Sequence, residues 1–518
     1  MKKGIFFTKK STINLIYFIL CIFPMAIFTR DFFKISQLNN AMGKSFFQIL
    51  FFSIKQGVLS TILAFFVALI PGYYAGYSNS RISKLLDSTV FIPFFFPVIS
   101  TVTSFSIIFN LPFMNNFNIL YTLNGILIGN IFYNSPIFVK YISEGLKSIP
   151  SELLENMKLD GASRTEIFLL GEIKIIMAQI MRGALLVFTY SFLSFGIILS
   201  LGGIRYTTLE IEIATTFKGQ LNFSMGIFLG IVQFLLLVII NLARFFPKEY
   251  YVERRFKNRL EKKSEKKLIP LKVISIFYLL GEYIVVFSSI LFSFYDYYIG
   301  KFTLKYYKTI FSNDFNREYQ VIKSILNTFF ISSIVALIVI FFSYILIKNY
   351  NKFTEVMIFA NIGISGAFLG ITLYYLNILY NIPLLILVII GLIIGTVPVA
   401  YSFMYQYIKK FPIEIYENSL LDCNNSLERF VYIEFPILKK IFISSFLQIF
   451  AIVLGEFTLV YTMQLEDLLP LVSLVNYSMV SNKKYLESAA FSSIILITVI
   501  GLFVLGEILK DKEKINNI

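Results

Sequence analysis

The chain has 518 residues, 57% of them hydrophobic and 15% charged, with a formal net charge of +15 and no histidine or tryptophan. That composition leaves too little polar surface to cover a water-soluble fold of this size, so a polytopic membrane protein is expected. The positive excess does not indicate nucleic acid, because eleven Lys and Arg residues crowd into 244–272 beside four Glu, as in a linker lying near anionic lipid head groups.

The N-terminal MKKGIFFTKK leads into the first apolar run without a clear small-residue cleavage site, so this run is read as a retained first helix rather than a signal peptide. A helical span needs roughly 20 mostly apolar residues. Twelve runs qualify, at about 12–29, 50–76, 88–109, 119–141, 176–199, 223–244, 271–294, 323–347, 355–377, 381–405, 441–463 and 488–509. Continuous stretches such as FLGIVQFLLLVII exclude barrel strands, which alternate in polarity. The fold class expected is therefore all-α, a polytopic helical membrane protein of about 12 transmembrane helices. Pro93 and Pro97 in the third run are expected to shape that helix rather than gate it.

Between the fourth and fifth runs lies a polar segment, Ile149–Phe168, IPSELLENMKLDGASRTEIF, and it returns 262 residues later as FPIEIYENSLLDCNNSLERF, Phe411–Phe430. Pro150, Glu152, Glu155, Asn156, Leu159, Asp160, Glu166 and Phe168 recur as Pro412, Glu414, Glu417, Asn418, Leu421, Asp422, Glu428 and Phe430. The same offset pairs Gly129 with Gly391, Pro136 with Pro398 and Glu172 with Glu434. The chain is thus an internal duplication of six-helix units, with repeats at 1–244 and 271–518 joined by a basic linker at 245–270.

Each repeated segment reads as helix, tight turn, capped helix. Pro150 suits a first turn, Glu152 and Glu155 suit its positive end, and Leu153, Leu154 and Met157 share a face. Asp160-Gly161 supplies turn chemistry, and Ser163 three residues before Glu166 has capping-box spacing, repeated by Asn425 and Glu428. Where the first copy has Gly161 the second has Cys423, which is unfavourable in a left-handed conformation, so the second turn is expected to be displaced by a residue.

Lys and Arg place these loops and both termini on the inside, whereas the opposite loops at 110–118 and 378–382 carry no charge. The loop 295–322, with Lys301, Lys305, Lys308 and Arg317, departs from that rule. Inside the membrane, Lys55, Glu282 and Glu456 are the ionisable residues to explain; Glu456 is offset-paired with Ser194. Two cysteines, Cys21 and Cys423, and no histidine leave no disulfide framework, no soft-metal cluster and no Ser/His or Cys/His pair. No GxxxxGK[ST] phosphate cradle is present either, so no cofactor or enzyme activity is expected of this chain.

The E–(seven residues)–D-G segment resembles the coupling loop of permease subunits of type I ABC importers. SIKQGVLSTILAFFVALIPGYYAGY, LNGILIGNIFYNSP, SFGIILSLGGIRYTTLEIEI and LGEFTLVYTMQLEDLLPLVSL resemble the fused double permeases of the thiamine and ferric-iron group. The resemblance implies the type I importer permease fold, with Glu152, Glu155, Asp160, Gly161 and Glu166 in one ATPase-coupling loop. It likewise implies Glu414, Glu417, Asp422, Cys423 and Glu428 in the other. It also implies as partners two copies of a separate ABC ATPase on the cytoplasmic loops and an extracytoplasmic solute-binding protein, in a lipid membrane and without nucleic acid. Thiamine or its phosphates, or ferric iron, would be the solute. An ion-coupled secondary transporter using Glu456 is the competing expectation.

Overall fold

Uninterrupted apolar sequence forms long helices in the computed structural model, which describes residues 12–33, 44–90, 92–93, 96–243, 268–409, 411–466 and 468–515. Most of the predicted basic linker, 245–270, lies outside the described residues. Nine helices among the described residues are long and apolar enough to cross a membrane, and a tenth crossing is made if the pair Thr354–Asn361 and Gly366–Tyr380, bent by 93°, counts as one. The only described strands are a two-residue hairpin in which Tyr295 faces Phe302 and Asp296 faces Lys301.

Four predicted spans are not continuous: the fifth, expected over 176–199, breaks after Phe192, the eleventh, expected over 441–463, breaks after Leu454, and the third and the ninth also break. The third, expected over 88–109, is split between the helices Arg81–Thr89 and Val98–Asn110. Proline lacks the N–H that a helix interior needs and disfavours helical geometry in the residue before it, so Pro93 and Pro97 break the helix instead of bending it. The ninth, expected over 355–377, breaks between Asn361 and Gly366, where Ser365 Oγ accepts the Phe368 N–H at 3.0 Å and starts a new helix. The third element of each half is therefore two helices around a break. The fourth run forms one helix, Leu123–Lys147, but buries Asn130, Asn134, Ser135 and Ser143, so it is less apolar than the nine.

Equivalent contacts recur in the two halves. A Cβ on Gly129 would come within 2.8 Å of Ile197, and one on Gly391 within 2.7 Å of Leu459, so each fourth helix is approached closely at the same step. Ser53 Oγ accepts the Leu209 N–H at 2.9 Å, and Thr328 Oγ1 accepts the Val472 N–H at 3.0 Å. Both bonds hold short buried helices, Leu209–Lys218 and Val472–Ser481, that lie between predicted spans, after 176–199 and after 441–463. The halves interlock. Helices Ile269–Phe294 and Tyr485–Ile515 pack on Val98–Asn110, with Ser104 bonded to Ser289 at 2.6 Å and Thr103 to Ser488 at 2.8 Å.

Candidate coupling knobs and central cavity

The first polar repeat folds as a compact knob. Pro150 takes the cap position of the helix Ser151–Leu159, and the apolar face of that helix packs with Leu154 buried among Ile149, Ile167 and the half-buried Leu153 and Met157. At its end the Ala162 N–H bonds the Met157 carbonyl at 2.9 Å and the Gly161 N–H bonds the Lys158 carbonyl at 3.1 Å. This is a Schellman closure, and it puts Gly161 at φ +83°. A second turn starts at Ser163, whose Oγ accepts the Glu166 N–H at 3.3 Å while Glu166 Oε2 accepts the Ser163 N–H at 2.7 Å, the expected reciprocal cap.

The second knob solves the same turn differently. Its helix, Ile413–Asp422, includes the residue equivalent to Asp160, and Cys423 follows in extended geometry at φ −111°. The helix end is displaced by one residue, but no left-handed residue follows it, so Cys423 escapes that strain because the left-handed closure is lost rather than moved. Asn425 Oδ1 accepts the Glu428 N–H at 2.8 Å, and Glu428 reaches back to the Asn424 N–H at 2.9 Å instead of to its cap residue. Gly161→Ala should therefore cost about 1 kcal/mol through backbone strain alone, because nothing lies within 4 Å of the added Cβ, whereas Cys423→Ala should be near neutral. Apparent melting temperatures of the purified variants check this; equal shifts would contradict it.

Neither knob ends in an independent helix. After Glu166 and Arg429 the backbone passes through wider π-helical turns, Ile167–Ile173 and Phe430–Glu434, straight into the helices Lys174–Phe192 and Phe435–Leu454. The fifth and eleventh spans, expected from 176 and 441, thus begin inside the knobs. The repeated carboxylates anchor these turns to the second helix of each half: Tyr73 donates to Glu172 at 2.9 Å, and Lys348 donates to Glu434 at 2.7 and 2.8 Å, joined by Tyr344 and by Arg429 at 3.4 Å.

Of the singled-out residues, Glu155, Asp160, Gly161, Glu166, Glu414, Glu417 and Asp422 are exposed, while Glu152, Cys423 and Glu428 are half-buried. A leucine completes each tip: Leu159 and its repeat Leu421 are 84% and 87% exposed. Among the described residues no three acidic or cysteine side chains gather into a metal-binding group.

A second feature lies between the halves, a cavity of about 350 Å³ lined from both, including Ser194 and Glu456. Glu456 Oε1 accepts the Leu459 N–H at 3.1 Å and so caps the short helix Thr458–Thr462. Glu282 is buried away from the cavity and accepts from Ser135 at 3.2 Å, and Lys55 is exposed on the surface of its helix. Sequence reading missed Glu210. It is 1% exposed, accepts the Ala367 N–H at 2.9 Å at the start of Gly366–Tyr380, and is bonded by Gln233. The signal was the carboxylate pair in TTLEIEI, which looks solvated until the partner helix is known. Nearby, Lys218 crosses between halves to Glu466 at 3.1 Å and the Tyr461 carbonyl at 3.0 Å.

Residues 68–248, which hold the first knob and not the second, match the family of binding-protein-dependent transport system inner membrane components. The chain is 26% identical over 253 residues to the probable transport system permease protein NifC of Clostridium pasteurianum, covering 44% of this chain and 84% of that one. It is 26% identical over 206 residues to the thiamine transport system permease protein ThiP of Haemophilus influenzae, covering 37% of this chain and 38% of that one.

Proposed function

We propose, from the premise that this chain is a multi-pass permease of the binding-protein-dependent ABC importer type and not itself an enzyme, that its two repeats form the complete solute path of an ATP-driven importer. The repeats are 1–244 and 271–518, both termini are cytoplasmic, and the two knobs are the docking points for two copies of a separate ATPase. The observation that carries this reading is the pair of knobs, each presenting acidic residues and one bare leucine and each continuous with a long helix. Such a handle passes a push from below directly into the bundle, because the π-helical turn and its buried carboxylate leave no slack connection. A solute-binding protein would dock on the opposite face, against 200–222 and 464–487. Thiamine or its phosphates are the favoured solute, ferric iron the next; similarity to a thiamine permease supports that order.

Asp160→Lys reverses the charge at an exposed tip without touching the core. In proteoliposomes holding the chain, its ATPase and its binding protein, it should lower solute-stimulated ATP hydrolysis about tenfold, the scale of a lost charge-assisted contact, with normal membrane insertion. Unchanged uptake and unchanged ATPase assembly would defeat the proposal, as would labelling that put residues 160 and 422 on opposite faces of the membrane.

A further inference from the structure

We infer that the chain carries a site for one anionic phospholipid beside its seventh span, an acyl chain lying in an apolar groove and the phosphate held at a basic rim. The groove has a volume of about 660 Å³ and lies open along one side of the helix Ile269–Phe294. Phe287, Ile290, Leu291 and Phe294 form its floor; they are spaced at i, i+3, i+4 and i+7 and so share one face of that helix. Its upper wall is Phe302 and Leu304, which follow the hairpin turn at Gly300. That wall is fixed in place. The Thr303 N–H donates to the Phe294 carbonyl at 2.7 Å, and the Phe302 ring lies 5.2 Å from that of Tyr295. The Tyr307 hydroxyl bonds Ser293 at 2.8 Å and Ser493 at 2.7 Å.

Depth decides what can lie there. From Phe294, where the span ends, back to Phe287 is seven residues of helix, about 10 Å into the hydrocarbon layer. A water-soluble partner does not reach that far, whereas a lipid tail does. Phe287, Leu291, Phe302 and Leu304 are each at least half exposed, so the chain itself does not fill the groove. The rim supplies charge. Lys301 and Lys305 flank the wall residues in sequence, and Lys308 stands four residues after Leu304, one turn along the helix Lys305–Ile310. All three are exposed and enter no ion pair among the described residues. Asp296, opposite Lys301 in the hairpin, is buried and already accepts the Tyr306 hydroxyl at 2.6 Å and the Tyr298 and Ile299 N–H groups at 2.9 and 3.2 Å. Three lysines facing one committed carboxylate keep the rim positive, in the loop whose charges depart from the positive-inside pattern. Tyr297, Tyr298 and Tyr307 beside them make the aromatic belt of a lipid–water boundary. A phosphodiester anion above a hydrocarbon tail is the complement of this arrangement. The groove shares no residue with the cavity between the halves, so the site stands whether or not the knobs dock an ATPase.

The chain has no tryptophan, so one placed in the groove is a lone fluorescent reporter. The full chain carrying Phe302→Trp, at a ring 74% exposed, is reconstituted in phosphatidylcholine nanodiscs. Its quenching is titrated with phosphatidylglycerol or phosphatidylcholine brominated on the acyl chains. Half-quenching should need at least about fivefold less of the anionic lipid, the scale of one lysine contact with an anionic head group. Replacing Lys301, Lys305 and Lys308 together by Gln in that background should remove the preference, and high salt should shrink it. Leu291→Trp, on the groove floor, is a second reporter and should behave in the same way. Phe66→Trp, 63% exposed on the helix Lys44–Tyr77, reports ordinary lipid contact and should be quenched equally by both lipids. Equal quenching in the groove, the same preference at Phe66→Trp, or a preference that survives loss of the three lysines would overturn the inference. So would a groove tryptophan that neither lipid quenches, the result expected if a second copy of this chain covers the face.

Discussion

Replacing Leu159 and Leu421 together by Asp is expected to abolish ATP-driven uptake and release the ATPase from the purified chain, with expression and membrane insertion unchanged. Each leucine lies almost fully in the open at a knob tip, so its loss removes little packing within this chain. Burying a leucine against a partner contributes about 1.5–3 kcal/mol, so the two contribute about 3–6 kcal/mol, a factor of roughly 10² to 10⁴ in affinity. Two aspartates add the desolvation of charge in an apolar socket. Pull-down of the ATPase by the tagged chain measures the effect. Retention of the ATPase at the unmodified level would show that the tips do not dock.

Glu434→Ala should be the most destabilising single change near the knobs, costing about 3–5 kcal/mol and lowering the apparent melting temperature in detergent. The Glu434 side chain is 0% exposed, and the side chains it neutralises, Lys348 and Arg429, are 18% and 13% exposed. Removing the carboxylate leaves two cations together in a dry place, where neither can reach water easily. Lys348→Met combined with Glu434→Ala should recover part of that loss, because a pair removed whole is far cheaper than a pair broken. Additive losses in the double variant would mean that the two side chains act independently.

The knobs were largely legible in sequence because their signals are local. Ser163 and Glu166 sit at capping distance, and they form that cap. The duplication also marked Glu172 and Glu434, whose partners lie on a helix about a hundred residues earlier and could not be read from spacing. The breaks in the third and ninth spans were hidden by apolar composition, since hydropathy counts side chains and ignores the missing N–H of Pro93 and Pro97. The helix Leu209–Lys218 and its Glu210 were hidden for the opposite reason. Their polarity mimics a loop, and only the neighbouring Ala367 and Gln233 make burial of that carboxylate tolerable. Of the cavity only Ser194 and Glu456 were marked in sequence, by the repeat offset; the rest of its wall comes from helices of both halves whose packing the spacing of residues does not encode.

One knob closes through a left-handed glycine and the other through an extended cysteine. A motor built from two identical subunits would therefore seat on two unlike sockets. Its engagement with this chain would have a leading and a trailing side, so that a single lesion in one motor subunit, if it could be confined there, would be felt differently according to which socket that subunit occupied.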